Sequence, residues 1–132
     1  MRAMLLVVLS VLCATGWAQA YPSRPITLVV PFAAGGPTDT IARTIAQAMS
    51  RNLKQTVIVE NISGAGGTVG TAQVARSQPD GYTLLLYHVG MATAPVLYRT
   101  LPFDPMRDFD FIGEVTDVPM TLVARPDFPA KN

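Results

Sequence analysis

Three apolar runs constrain the fold more than any other feature. Residues 26–32 (ITLVVPF), 56–59 (TVIV) and 82–87 (YTLLLY) each give way to a turn and then to a helical pattern. Continuous β-branched and aromatic runs of this kind read as strands buried on both faces, because a strand with one wet side alternates apolar and polar residues. After the first run, Ile41, Ile45, Ala46, Met49 and Leu53 recur at helical spacing, which predicts an amphipathic helix over 38–52. The second run leads into Gly64-Ala65-Gly66-Gly67 and a short helix through Val69, Ala72, Val74 and Ala75. The third follows the turn Pro79-Asp80-Gly81 and precedes a loop and a short helical pattern around 94–98. Strands joined through helices run parallel, because parallel neighbours need a crossover connection. The expected fold is therefore α/β, a parallel sheet with helices on both faces.

In such a sheet the loops leaving the carboxyl ends of the strands gather on one edge, and ligands lie there. Residues 31–40, 61–68 and 88–93 are the loops of that kind. In the first, Gly35 and Gly36 permit positive φ and close approach to the backbone, Pro37 suits a first helical position, and Thr38 or Asp39 can cap or flank it. With Phe32, Ala34 and Thr40 they make a turn whose free N–H groups carry the positive end of a helix dipole, a place for a carboxylate. Asp39 competes with a bound anion unless its side chain is occupied in capping. Taken alone, the glycines are also explained by a tight strand-to-helix turn, which is common in α/β domains.

The other two loops bring Asn61, Gly64, Gly66 and Gly67, then His88, Gly90 and Met91, to the same edge. Asn61 can reach a ligand, though asparagine is also at home in loops. His88, the single histidine, is either a carboxylate partner by hydrogen bond or charge, or a residue closing the strand through a backbone bond. Met91 reads as packing, as do Tyr98, Phe103 and Phe109. Arg43, Arg51 and Lys54 fall on the wet side of the first helix.

Several chemistries lack their residues. Neither glycine-rich stretch contains the lysine of a phosphate-gripping loop, and the run from Gly64 to Gly70 puts Val69 where a dinucleotide fingerprint needs its third glycine. Ser63 follows Asn61-Ile62, so no Gly-x-Ser-x-Gly elbow is present. A lone histidine without a cysteine or clustered acids is a poor metal site. No cofactor and no metal are expected.

The amino terminus reads as an export signal rather than as fold. Arg2 precedes an apolar stretch over 4–14, and Ala18-Gln19-Ala20 fits signal peptidase, giving cleavage after Ala20 and Tyr21 as the first mature residue. The stretch is short of the roughly 20 residues that span a bilayer. Leu12 before Cys13 is too bulky for lipidation. Cleavage removes the single cysteine and, by taking Arg2 from the ten basic residues, leaves nine basic residues level with the nine acidic ones. No basic field for nucleic acid remains. The mature chain therefore relies on its core, which a hydrophobic share of 49% allows.

The expected organisation is a signal peptide over 1–20, a first α/β lobe over 21–100, and a crossover with the start of a second lobe over 101–132. Leu101-Pro102-Phe103-Asp104-Pro105 cannot continue a helix. Residues 111–115 and 120–124 read as extended segments around Asp117-Val118-Pro119, and no helix follows to cover them. The chain is expected to be incomplete, as a fragment or an early stop.

The stretches YPSRPI at 21–26, LVVPFAAGGPTDTIAR, VIVENISGAGGTVGTAQVARSQPDGYTLL and LYRTLPFDPMRDFDFIG resemble, in order and spacing, the Bug-type substrate-binding receptors of tripartite tricarboxylate transporters. That resemblance implies a periplasmic, monomeric solute receptor of two α/β lobes that closes on a small organic carboxylate and serves membrane transporter subunits, without catalysis. It implies that residues 32–40 help receive a carboxylate, partly through ordered water on backbone groups, and that residues 64–67 and 88–91 line the same wall. Family members are much longer, so a second wall is expected elsewhere. Two alternatives stay open from the residues: an exported hydrolase or isomerase fragment using His88 as base, and a non-functional truncated remnant.

Overall fold

The structure is a computed structural model that describes residues 20–117 together with 119, 121, 123 and 125. All of the expected signal peptide but Ala20 lies outside the described residues, as do residues 120, 122 and 124 of the second extended segment and residues 126–132. The elements in order are β1 (Ile26–Val30), α1 (Pro37–Leu53), β2 (Val57–Asn61), a 3₁₀ turn (Ala65–Gly67), α2 (Thr68–Ala75), β3 (Thr83–Leu85) and α3 (Gly90–Leu97). The strands pair in parallel in the order β2-β1-β3, with Leu28 beside Val59 on one side and Leu84 on the other. The β1–β3 pairing reaches past its ladder, for Thr27 donates to Tyr82 O at 2.8 Å and Leu86 to Val29 O at 2.9 Å.

Side chains alternate across the central strand, and both of its faces are covered. Ile26, Leu28 and Val30 pack with Val57 against Ala42 and Ala46 of α1, and Phe32, Met49, Leu53, Val59 and Leu84 surround them. On the other face Val29 is buried and α2 packs over β1 and β3. Burial on both faces, expected of all three runs, holds for β1 alone. On β2, Val57 is buried, whereas Ile58 is 50% exposed and Glu60 is exposed. The physical reason is position: β2 borders the sheet, α1 lies over one of its faces, and α2 sits over the neighbouring strands. A further difference is that α3 begins at Gly90, so Gly90 and Met91 are helical rather than part of a loop. Residues 111–115, read as extended, join no ladder, and from α3 onward Val96, Leu97, Met106, Phe111 and Ile112 stand exposed.

Two close approaches fix the carboxyl edge of the sheet. A Cβ at Gly70 would lie 2.6 Å from Ile62 O and 3.1 Å from Pro31 Cβ, so α2 crosses the ends of β1 and β2 backbone against backbone. The second is polar. Asp39, 3% exposed in the first turn of α1, accepts through Oδ2 from Gly35 N at 2.8 Å and from Arg43 Nε at 2.9 Å, and through Oδ1 from Asn61 Nδ2 at 3.0 Å. Asn61 Nδ2 also donates to Phe32 O at 3.1 Å, and its Oδ1 accepts from Arg43 Nη2 at 3.2 Å. One carboxylate thus ties together the loop after β1, the first turns of α1 and the last residue of β2. The bond from Arg43, then those from Gly35 and Asn61, lower its pKa from 3.8 to about 2.

Gly70→Ala gains about 1 kcal/mol of helix propensity but overpacks a contact whose nearest atom is backbone, at a cost of about 1–3 kcal/mol. The loss is expected to win, lowering the urea midpoint with the m-value unchanged. Because the Asp39 carboxyl titrates lower in the folded chain than in the unfolded one, its contribution is complete above pH 3.8 and is lost as pH falls through about 2. Denaturation at stepped pH is expected to find stability declining across that window, and Asp39→Asn, already weaker at neutral pH, to decline less steeply there.

Candidate functional site

The loop over residues 31–36 leaves β1 with Pro31 fully buried and Ala33, Ala34 and Gly35 exposed. Gly35 has φ +82, and this conformation rather than crowding calls for glycine, since a Cβ there would meet nothing within 4 Å. Gly36 is the N-cap of α1 and Pro37 its first residue, with no side-chain cap. Asp39, expected to cap or flank the helix, instead reaches back to the loop and holds Gly35.

This arrangement narrows the set of free donors. Gly35 N–H is engaged by Asp39, and Thr40 N–H donates to Gly36 O at 3.0 Å, the first bond of the helix. Pro37 has no N–H. The amides of Ala34, Gly36, Thr38 and Asp39 have no partner among the described residues, as befits a helix start whose first N–H groups precede any i→i−4 acceptor. The Asp39 charge that would repel an anion faces Arg43 at 2.9 Å and is spent on three hydrogen bonds. The positive end of the α1 dipole is thereby left largely unopposed.

The other loops meet the first through aromatic rings. His88 stacks on Phe32 with centroids 4.5 Å apart and planes 15° off parallel, and Tyr87 lies 5.4 Å from Phe32 and 5.1 Å from His88. Tyr87 donates to Gly66 O at 2.7 Å and Tyr98 to Ala65 O at 3.0 Å, which pins the glycine-rich turn after β2 to the segments around β3 and α3. Gly67, at φ +95, lies so close to Tyr87 that a Cβ would approach its ring to 2.9 Å. Within the turn Gly67 N–H donates to Gly64 O at 2.9 Å. Phe32, Gly64, Gly66, Gly67 and His88 are thus brought to one edge with residues 34–40.

Asn61 is at the same edge but is turned inward, with Nδ2 committed to Phe32 O and Asp39. The closing role considered for His88 is present: Nδ1 accepts from Gly90 N–H at 3.0 Å, and His88 O accepts from Met91 N–H at 3.0 Å. No serine, cysteine or carboxylate bonds to His88 among the described residues. Sequence reasoning missed three residues. Arg43 was assigned to solvent, although its i,i+4 spacing from Asp39 is the signal of a helical ion pair. Tyr87 was absorbed into a strand and Tyr98 into packing, and their hydroxyl partners lie 21 and 33 residues away, where no local pattern points.

Among the described residues no group of three metal-binding side chains occurs, and no helix is long and apolar enough to cross a membrane. Two shallow concavities are lined by none of the glycines. One, of about 510 Å³, runs between α1 and β2 beside Arg43, Gln47 and Ser50, and one of about 570 Å³ lies beneath α3 beside Met91, Tyr98 and Met106.

Comparison with known proteins accords with this geometry. A family model described as tripartite tricarboxylate transporter family receptor matches residues 41–132. A UPF0065 protein encoded in the TAR-I ttuE-ttuC' intergenic region of Agrobacterium vitis is 55% identical over 113 residues, which cover 86% of this chain and 33% of the relative. The solved structure of the periplasmic binding protein BugD aligns with a TM-score of 0.66 at 58% identity, over 67% of this chain and 30% of that one. MatC from Rhodopseudomonas palustris, solved with bound malate, aligns with a TM-score of 0.65 at 47% identity, over 67% of this chain and 31% of that one. The chain thus spans about a third of the length of these relatives. A parallel sheet with this helix order, an amide-lined turn after its first strand and these matches together mean that the chain belongs to the tripartite tricarboxylate transporter receptor family.

Proposed function

We propose that this chain supplies one wall of a periplasmic receptor that captures a small organic acid for a tripartite transporter. The observation that carries the proposal is the set of unpartnered amides at Ala34, Gly36, Thr38 and Asp39, presented at the start of α1 while the nearest carboxylate is neutralised by Arg43. Amides so arranged accept a carboxylate directly or through water. Family membership supports the ligand class, and the malate held by MatC is a dicarboxylate of this size.

In this reading residues 1–20 direct export and are removed after Ala20, residues 21–100 form the lobe, and residues 101–132 lead out of it. The opposite wall belongs to the part of the receptor that this chain does not span. Capture is a shift in population: the acid bridges two walls, favours the closed form through contacts that the open form lacks, and the transporter recognises that form. The ligand leaves unchanged, without catalysis, cofactor or metal.

Calorimetric titration of the full-length receptor with malate is expected to give saturable binding. Gly36→Pro deletes one of the amides at a residue whose φ of −76° suits proline. Loss of a hydrogen bond to a charged group, about 1.5–3 kcal/mol, corresponds to roughly a tenfold to hundredfold weaker Kd. Gly36→Ala keeps the N–H and has room, its Cβ meeting only Ala33 O at 3.4 Å, so its affinity is expected to stay close to that of the parent. Silence across a panel of di- and tricarboxylates, or a folded Gly36→Pro that binds as the parent does, would contradict the proposal.

A further inference from the structure

We infer that His88 is a specificity-determining donor of this site, offering its Nε2–H to an acceptor oxygen of the ligand and rejecting an ammonium group at the same place. The inference rests on the receptor reading above and adds the polarity of one subsite. A neutral imidazole has one N–H and one bare nitrogen, and which is which follows from the partner of either. Gly90 N–H donates to Nδ1 at 3.0 Å, so the proton is on Nε2. Nε2 itself has no partner among the described residues, and His88 is exposed.

The ring is also held in place. Phe32 stacks beneath it at 4.5 Å and 15°, and Tyr87 flanks it at 5.1 Å, so the stack holds the plane of the ring while the Gly90 bond decides which of its edges faces out. A donor already fixed in orientation loses little freedom when a ligand arrives. Phe32 leads directly into the loop that carries the unpartnered amides, which puts the imidazole on the same edge. With Nδ1 occupied, a ligand reaching this ring finds a donor. A carboxylate, hydroxyl or carbonyl oxygen matches it, a carboxylate making the charge-assisted and stronger bond. An ammonium would set donor against donor.

In a long-range proton–nitrogen spectrum of the labelled full-length receptor, the ring nitrogens of His88, the single histidine of this chain, are identified by the signals that disappear in His88→Gln. At neutral pH the expected spectrum is that of the Nε2–H tautomer, and malate is expected to move Nε2 more than Nδ1. Butane-1,4-diamine, a four-carbon chain that ends in ammonium groups where malate ends in carboxylate oxygens, is expected to move neither. His88→Gln puts an amide N–H near the Nε2 position and is expected to keep malate affinity within a few fold. His88→Asn keeps an acceptor for Gly90, lacks the outer donor and is expected to weaken binding about tenfold, the loss of one hydrogen bond. An Nδ1–H tautomer, or diamine binding that shifts Nε2, overturns the inference. Malate shifts at the Gly36 and Thr38 amides with Nε2 unmoved overturn it while leaving the receptor reading intact. No shift at any of these nuclei overturns both.

Discussion

The carboxylate of Asp39 organises the carboxyl edge of the sheet. Its three hydrogen bonds, to Gly35, Arg43 and Asn61, come from the loop, the helix and the neighbouring strand, so it ties together elements that the chain supplies far apart. A buried carboxylate left alone would carry a large desolvation cost. Here the donors surround it, and the ion pair with Arg43 makes it nearly silent as a charge toward anything approaching from the loop side. That solves the difficulty of an acidic residue in the first turn of a helix proposed to receive an anion. It also divides the amides into two groups, with Gly35 bonded within the protein and those of Ala34, Gly36, Thr38 and Asp39 without a partner among the described residues.

A second constraint is aromatic. Phe32, Tyr87 and His88 stack where the loops after β1 and β3 meet, and the Tyr87 hydroxyl carries the contact on to Gly66. Apolar contact, the hydroxyl bonds of Tyr87 and Tyr98 and the amide bonds of Asn61 therefore hold the three loops of the sheet edge in register. From the last residues of α3 onward the character of the surface changes. Val96, Leu97, Phe111 and Ile112 are exposed, and large apolar groups in such number are normally covered by further protein.

What could be read from the residues follows the range of the forces. β1 was legible because a strand buried on both faces writes its burial as an unbroken run, and α1 because its apolar stripe repeats at helical spacing. The open face of β2 was not, since Ile58 looks like any core isoleucine until the strand order places it at the border. The start of α3 was missed because glycine at position 90 is a poor helix former, and its amide is held instead by His88. At the site, the glycine turn and its placement were visible. The pairing of Asp39 with Arg43 was visible in principle, four residues apart. Its bond to Asn61, 22 residues on, belongs to the tertiary fold alone.

The central claim is that the turn after β1 presents donors to an acid while Asp39 holds the turn from behind. A crystal structure of the receptor with malate tests it most directly. The account predicts a ligand carboxylate within hydrogen-bond reach, directly or through one water, of the Gly36 and Thr38 amides, with Gly35 still bonded to Asp39. A carboxylate seated elsewhere in the cleft, or one that displaces Asp39 from Gly35, would contradict it.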